Sequence, residues 1–209
     1  MSHKHILATI RLAHHFGSAF TPEQVYRYLR VKMDEGEFSN RLQELLDAGR
    51  VRRQDGVLFT AEVEEAFRQK QQWSRELFGK YRRILGAICR APWVRFVALT
   101  GANAFESCRK VDDLDLFIIT QKNRLWLCYL LLVLISKLLG KRGVLCLNYL
   151  VDEAHLAIEQ EDYFTAVQLM QMIPLTANGY YRQVMEANPW VFRVLPNARP
   201  VTELNPRYV

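Results

Sequence analysis

The chain has 209 residues, room for one generous domain or two small ones. Half of its residues are apolar, and 28 basic against 22 acidic side chains give a formal charge of +6, which allows a packed core and excludes a disordered chain. Cys89, Cys108, Cys128 and Cys146 form no CxxC pair and the first residues, MSHKHILATIRLAHHF, hold no apolar leader core, so neither a disulfide framework nor a cysteine zinc site is expected, and a cytoplasmic protein is.

Ile6, Leu7, Ile10 and Ala13 recur at helical spacing, and Gly17-Ser18 breaks the pattern. Thr21-Pro22-Glu23-Gln24 predicts a helix start: Thr21 caps, Pro22 suits the first turn, and Gln24 completes a capping box. Val25, Tyr26 and Leu29 follow as inward residues. A third helix is expected from Asp34, with Phe38, Leu42, Leu45 and Leu46 on one stripe and Gly49 as its stop. VRRQDGVLF then predicts two short strands turning at Asp55-Gly56.

Three helices and a hairpin, with the phrase LQELLDAGRVRRQDGVLF, resemble a winged helix-turn-helix domain over residues 1–60. The resemblance implies a third helix placed for DNA. That helix would face outward with Glu35, Glu37, Asn40, Arg41, Glu44 and Asp47, a mostly acidic set that repels phosphate. Only Arg50, Arg52 and Arg53 near the wing suit DNA. Contact with DNA and contact with a protein both stay open for this region.

Residues 61–110 carry ten basic and five acidic side chains, which favours an anionic ligand nearby. A long connecting helix is expected over 61–88, with Trp73, Leu77, Tyr81, Ile84 and Ile88 on its inner face, and Pro92 marks a boundary. VRFVALT (94–100) predicts a strand running into Gly101-Ala102-Asn103. VDDLDLFIIT (111–120) predicts a second strand on which Asp113 and Asp115 share a face. Two carboxylates on an otherwise apolar strand are costly unless a positive group meets them. Mg²⁺, which takes one or two carboxylates plus substrate phosphates, does so; a solvated pair, or one neutralised by Arg95 or Arg109, is the other outcome. Leu125 to Leu139 is apolar but shorter than the ~20 residues of a bilayer span and contains Lys137, so it is expected as a buried helix. VLCLNYLV (144–151) predicts a further strand. Tyr163, Phe164, Val167, Leu169, Met170 and Met172 are expected as helix core, and the tail beyond Pro196 as an extended or disordered arm. His3, His5, His14 and His15 lack ligand spacing.

Leu99-Thr100-Gly101-Ala102, ten intervening residues and Asp113-Leu114-Asp115-Leu116 resemble the signature of the nucleotidyltransferase superfamily that includes DNA polymerase beta. Asn123-Arg124-Leu125-Trp126, Leu147-Asn148-Tyr149-Leu150, Ile173-Pro174-Leu175 and Asn188-Pro189-Trp190 add to the likeness, as in an uncharacterised bacterial branch. The resemblance implies an α+β chain: a winged helix over 1–60, a helical connector over 61–92, a nucleotidyltransferase-like domain with a small mixed sheet and flanking helices over 93–197, and a tail over 198–209. It implies Mg²⁺-dependent transfer of an NMP from an NTP to an unidentified acceptor, with Asp113 and Asp115 as catalytic metal ligands and Asn148 as a further ligand. Gly101, Ala102, Asn103, Arg109, Lys110 and Arg124 would hold the nucleotide. Ala102 stands where members place Ser or Gly, and Asn148, or Asp152 or Glu153 at the strand end, where they place a third carboxylate. A noncatalytic nucleotide-sensing or DNA- or protein-binding regulator on the same fold is the alternative.

Overall fold

The computed structural model describes residues 2–60, 67–138, 143–176 and 179–199. It begins with α1 (Ser2–His15), α2 (Pro22–Arg27), α3 (Glu35–Asp47), β1 (Val51–Gln54) and β2 (Val57–Thr60). The expected capping box forms: Thr21 accepts from the Gln24 backbone N–H, and the Gln24 side chain accepts from that of Thr21. Asp34 caps α3, whose inner stripe buries Phe38, Leu42 and Leu45. β1 and β2 pair antiparallel about Asp55-Gly56, both with positive φ, as a tight hairpin demands. Phe20 bridges to Leu58 and adds a short third edge. Tyr28, beyond the end of α2, is fully buried, whereas Tyr26 is only half-buried.

The remainder comprises α4 (Phe67–Cys89), β3 (Val94–Leu99), α5 (Gly101–Ala104), β4 (Leu114–Thr120), α6 (Leu125–Leu138), β5 (Leu145–Asp152), α7 (Tyr163–Gln171), β6 (Ile173–Pro174), α8 (Tyr180–Ala187) and α9 (Trp190–Val194). Residues 61–66 of the expected connector lie outside the described residues. The four-stranded sheet has the order β5-β4-β3-β6. β3 pairs antiparallel with β4 and β6, and β4 pairs parallel with β5. The chain is therefore mixed α+β.

Alternation along the strands gives the sheet two apolar faces. Val97, Leu99, Leu116 and Ile118 join Phe78, Leu85 and Cys128 in one core, under α4 and α6. Phe96, Ala98, Phe117 and Ile119 join residues of α7, α8 and α9 and those of α1 to α3 in the other. The first sixty residues thus share a core with the sheet. Polar ties reinforce the joint: Ser18 donates to the Phe105 carbonyl, Tyr163 to the Tyr28 carbonyl, and Tyr28 to Gln171.

Four expectations change. The inner stripe of α4 runs through Ser74, Phe78, Tyr81, Leu85 and Ile88, leaving Trp73, Leu77 and Ile84 half-buried. α6 buries only Cys128, Leu132 and Ser136 and exposes its other side. Phe164 is exposed rather than core, because it occupies the outer side of α7. The tail begins as an anchor: Asn197 is buried, accepts from the Met33 N–H and donates to the Val31 carbonyl. Residues 200–209 lie outside the described residues. Among the described residues no helix is long and apolar enough to cross a membrane.

Candidate functional site

The site lies where β3 ends and β4 begins. Gly101 follows β3 with φ +53°, and a Cβ added there would stand 2.2 Å from Asp115 Oδ2. Only glycine permits both the backbone conformation and the approach. The Thr100 N–H donates to the Asp115 carbonyl at 2.9 Å. β4 starts later than expected, so Asp113 sits just before the strand while Asp115 is its second residue. Asp112 faces the turn, where its carboxylate accepts from the Arg109 and Asp113 N–H groups.

Register supplies the third corner. Asp115 pairs with Cys146 on β5, and the register shifts beyond Leu116–Leu147 so that Phe117 pairs with Tyr149. Asn148 is the extra residue of that irregularity, which re-aims a side chain next to a site. Its Nδ2 donates to Asp115 Oδ1 at 2.8 Å, and its Oδ1 accepts from the Cys146 thiol at 3.1 Å. Ligand atoms of Asp113, Asp115 and Cys146 lie within 4.8 Å of one another. The sequence alone does not single out Cys146, because cysteine reads as apolar; its i, i+2 spacing to Asn148 on the edge strand β5 is the signal it carries.

Electrostatically the cluster is under-compensated. Burial and then the Asp113 charge push the Asp115 carboxyl above its ordinary range, while Asn148 and the Ala102 N–H pull it partly back. Burial, then the charges of Asp115 and Asp113, raise the Cys146 thiol. It stays a neutral donor rather than a base. Among the described residues no ion pair involves Asp113 or Asp115; Arg95 pairs with Glu153.

The remaining expected residues divide. Asn103 is buried beneath the site and donates to the Asp113 carbonyl, so it positions the turn. The Gly101 N–H donates to Gln168 Oε1 and the Ala102 N–H to Asp115, so both are engaged. Arg109 and Lys110 are exposed on the turn. Arg124 lies past the far end of β4, its guanidinium 6.0 Å from the Trp93 ring, and is not brought to the carboxylates. Asp152 and Glu153 are also at that far end. Asp152 pairs in register with Thr120 and accepts from the Asn123 and Ala154 N–H groups. Glu153 accepts from the Lys122 N–H and the Tyr180 hydroxyl.

A cavity of about 260 Å³ adjoins the cluster through Thr100 and Asn148, with Phe117, Tyr149, Thr165 and Gln168 among its walls. The Thr100 hydroxyl is buried and, among the described residues, has no hydrogen-bond partner. A larger cavity, about 580 Å³, lies between α2, the β1–β2 turn and α5. It is lined by neither Asp113 nor Asp115; of its acids, Glu23 and Asp55 are paired with Arg27 and Arg68, and Glu106 accepts from the Gln71 side chain.

No family model, no curated protein and no solved structure matches this chain.

Proposed function

We propose that the chain is a Mg²⁺-dependent nucleotidyltransferase in which residues 1–60 form a winged helix and residues 93–197 a nucleotidyltransferase-like domain. One observation carries the reading: a glycine turn pressed against two carboxylates that, among the described residues, no basic side chain pairs with, at the junction of two sheet strands. A divalent ion fits this donor set. Asp113 and Asp115 offer hard oxygens, and their mutual repulsion is what a cation would relieve. Cys146 is a soft donor with a raised thiol pKa, so Mg²⁺ would take its remaining oxygens from phosphate and water. Bound there, the ion would supply charge neutralisation on the triphosphate. The chain's part is positional: Asp113 and Asp115 fix the site, Asn103 and Gln168 hold the turn, and the apolar cavity receives a planar base among Phe117 and Tyr149. In the reaction an acceptor oxygen bonds to the α-phosphorus as the bond to pyrophosphate breaks.

A second reading, a noncatalytic nucleotide sensor, is favoured by Cys146 in the third corner, since a neutral thiol cannot take a proton from the acceptor. The exposed acids Glu35, Glu37, Glu44 and Asp47 of α3 point such a regulator to a protein partner rather than DNA.

Calorimetric titration of the four NTPs with and without Mg²⁺, on wild type and on Asp113→Ala/Asp115→Ala, tests the site. Saturable Mg²⁺-requiring binding lost in the double variant supports it. No binding by wild type at millimolar NTP refutes both readings. Binding without pyrophosphate release, across sugar, protein and RNA-end acceptors, selects the sensor.

A further inference from the structure

α6 is apolar around its circumference, yet the protein covers one side of it. Cys128, Leu132 and Ser136 face the sheet, while Trp126 is 74% exposed, Leu130 61%, Leu134 55% and Leu138 77%. At 100° per residue these four form a continuous ridge opposite the buried one. Leu127, 44% exposed, widens it. Exposed aliphatic stripes of this length mark a docking surface.

Charge decides what docks. α6 contains no acid. Lys122 and Arg124 stand exposed before it, and Lys137 is exposed in its last turn. Pairing with a second copy in the antiparallel sense sets Arg124 against the partner's basic end; pairing in the parallel sense sets like against like. Neither brings an acid from the helix to answer these charges. An anionic surface answers both the ridge and its basic flanks. With 14 residues α6 is about 21 Å long, too short to span the ~30 Å hydrocarbon layer, so it would lie in the plane of the interface.

We propose that α6 docks the protein on an anionic phospholipid surface, with the leucine ridge at the headgroup–acyl boundary, Trp126 at headgroup depth and the flanking Lys and Arg on lipid phosphates. α6 covers one sheet face, whereas Asp115 shares the parity of Phe117 and Ile119 on the other. The carboxylate cluster would therefore stay open to solution while the protein is docked.

Cosedimentation of the full chain with phosphatidylcholine vesicles and with equal-part phosphatidylcholine–phosphatidylglycerol vesicles, at low and high salt, is the test. Wild type should partition onto the anionic vesicles and weaken with salt. Leu130→Glu/Leu134→Glu should lose about tenfold or more in partitioning. Arg124→Glu/Lys137→Glu should lose about fivefold per residue on anionic vesicles and little on neutral ones. Unchanged circular dichroism and melting would show that both variants fold. Absence of wild-type binding to anionic vesicles, or equal binding by the leucine variant, overturns the proposal. A concentration-dependent dimer abolished by the leucine variant, without vesicle binding, would give the ridge to a second copy.

Discussion

The two ends of the central sheet use the same chemical group in opposite ways. At the far end, Asp152 and Glu153 are each met by donors: backbone N–H groups on Asp152, and on Glu153 the Tyr180 hydroxyl, the Lys122 N–H and Arg95. Those bonds hold both carboxyls below their ordinary range. At the near end, Asp113 and Asp115 face each other and a thiol, and the Asp115 carboxyl is held above its range. A carboxylate that is satisfied joins segments of the chain. One left with a like charge and burial is poised for a cation or a proton. Sequence type alone does not separate the two roles; burial and the neighbouring like charge of Asp113 do.

The largest break in this contrast should come from Asp113→Ala/Asp115→Ala, which is expected to weaken Mg²⁺–NTP binding by about 100-fold or more in calorimetry. Its melting temperature should hold or rise, since like-charge repulsion is removed. Cys146→Asp places a third carboxylate at the register partner of Asp115. It should tighten Mg²⁺ binding by about tenfold and lower metal-free stability, read by titration and by melting. Gly101→Ala would force a Cβ against Asp115 at a positive φ, costing about 1–3 kcal/mol in denaturant unfolding together with the cation site. Asp152→Ala, which strips the Asn123 and Ala154 N–H groups of their acceptor, should cost about 1–2 kcal/mol and leave nucleotide binding untouched.

The smallest effect sharpens the contrast through pH. Asp152 has a lowered folded pKa, so its contribution is present above the unfolded value of 3.8 and fades as pH falls through the folded one. Asp115 has a raised folded pKa, so its ionised form costs stability above that value, and the cost is relieved as pH falls toward 3.8. Unfolding of Asp152→Asn and Asp115→Asn across acid pH should therefore diverge from wild type with opposite slopes. Parallel slopes would contradict the assignment of roles.

Local signals in the sequence were accurate where one residue and its near neighbours decide the outcome. Thr21 with Gln24, Asp34 with the Phe38 stripe, and Asp55-Gly56 all specify short-range hydrogen bonds and dihedrals. The turn at Gly101 is equally local, and so is the i, i+2 spacing that brings Asp113 near Asp115, although β4 begins only at Leu114. The third corner was not legible, because Cys146 reaches Asp115 only through the β4–β5 register and the extra residue Asn148. Arg124 was misplaced for the opposite reason: it is close to the aspartates in sequence, but β4 carries it to the far end of the sheet. α6 read as buried since apolar composition does not reveal which side the fold leaves uncovered.

Asn197 closes the molecule over a separation of 164 residues, binding the Met33 N–H. Contacts that distant carry a large loop-closure entropy and form after local ones. The three N-terminal helices and their hairpin also hold contacts close in sequence, whereas their joint to the rest of the chain, through Ser18–Phe105, Tyr28–Gln171, Tyr163–Tyr28 and Asn197–Met33, links residues 87 to 164 positions apart. Refolding should accordingly show an early helical phase and a slower docking phase, and Asn197→Ala should speed undocking far more than it slows the first step.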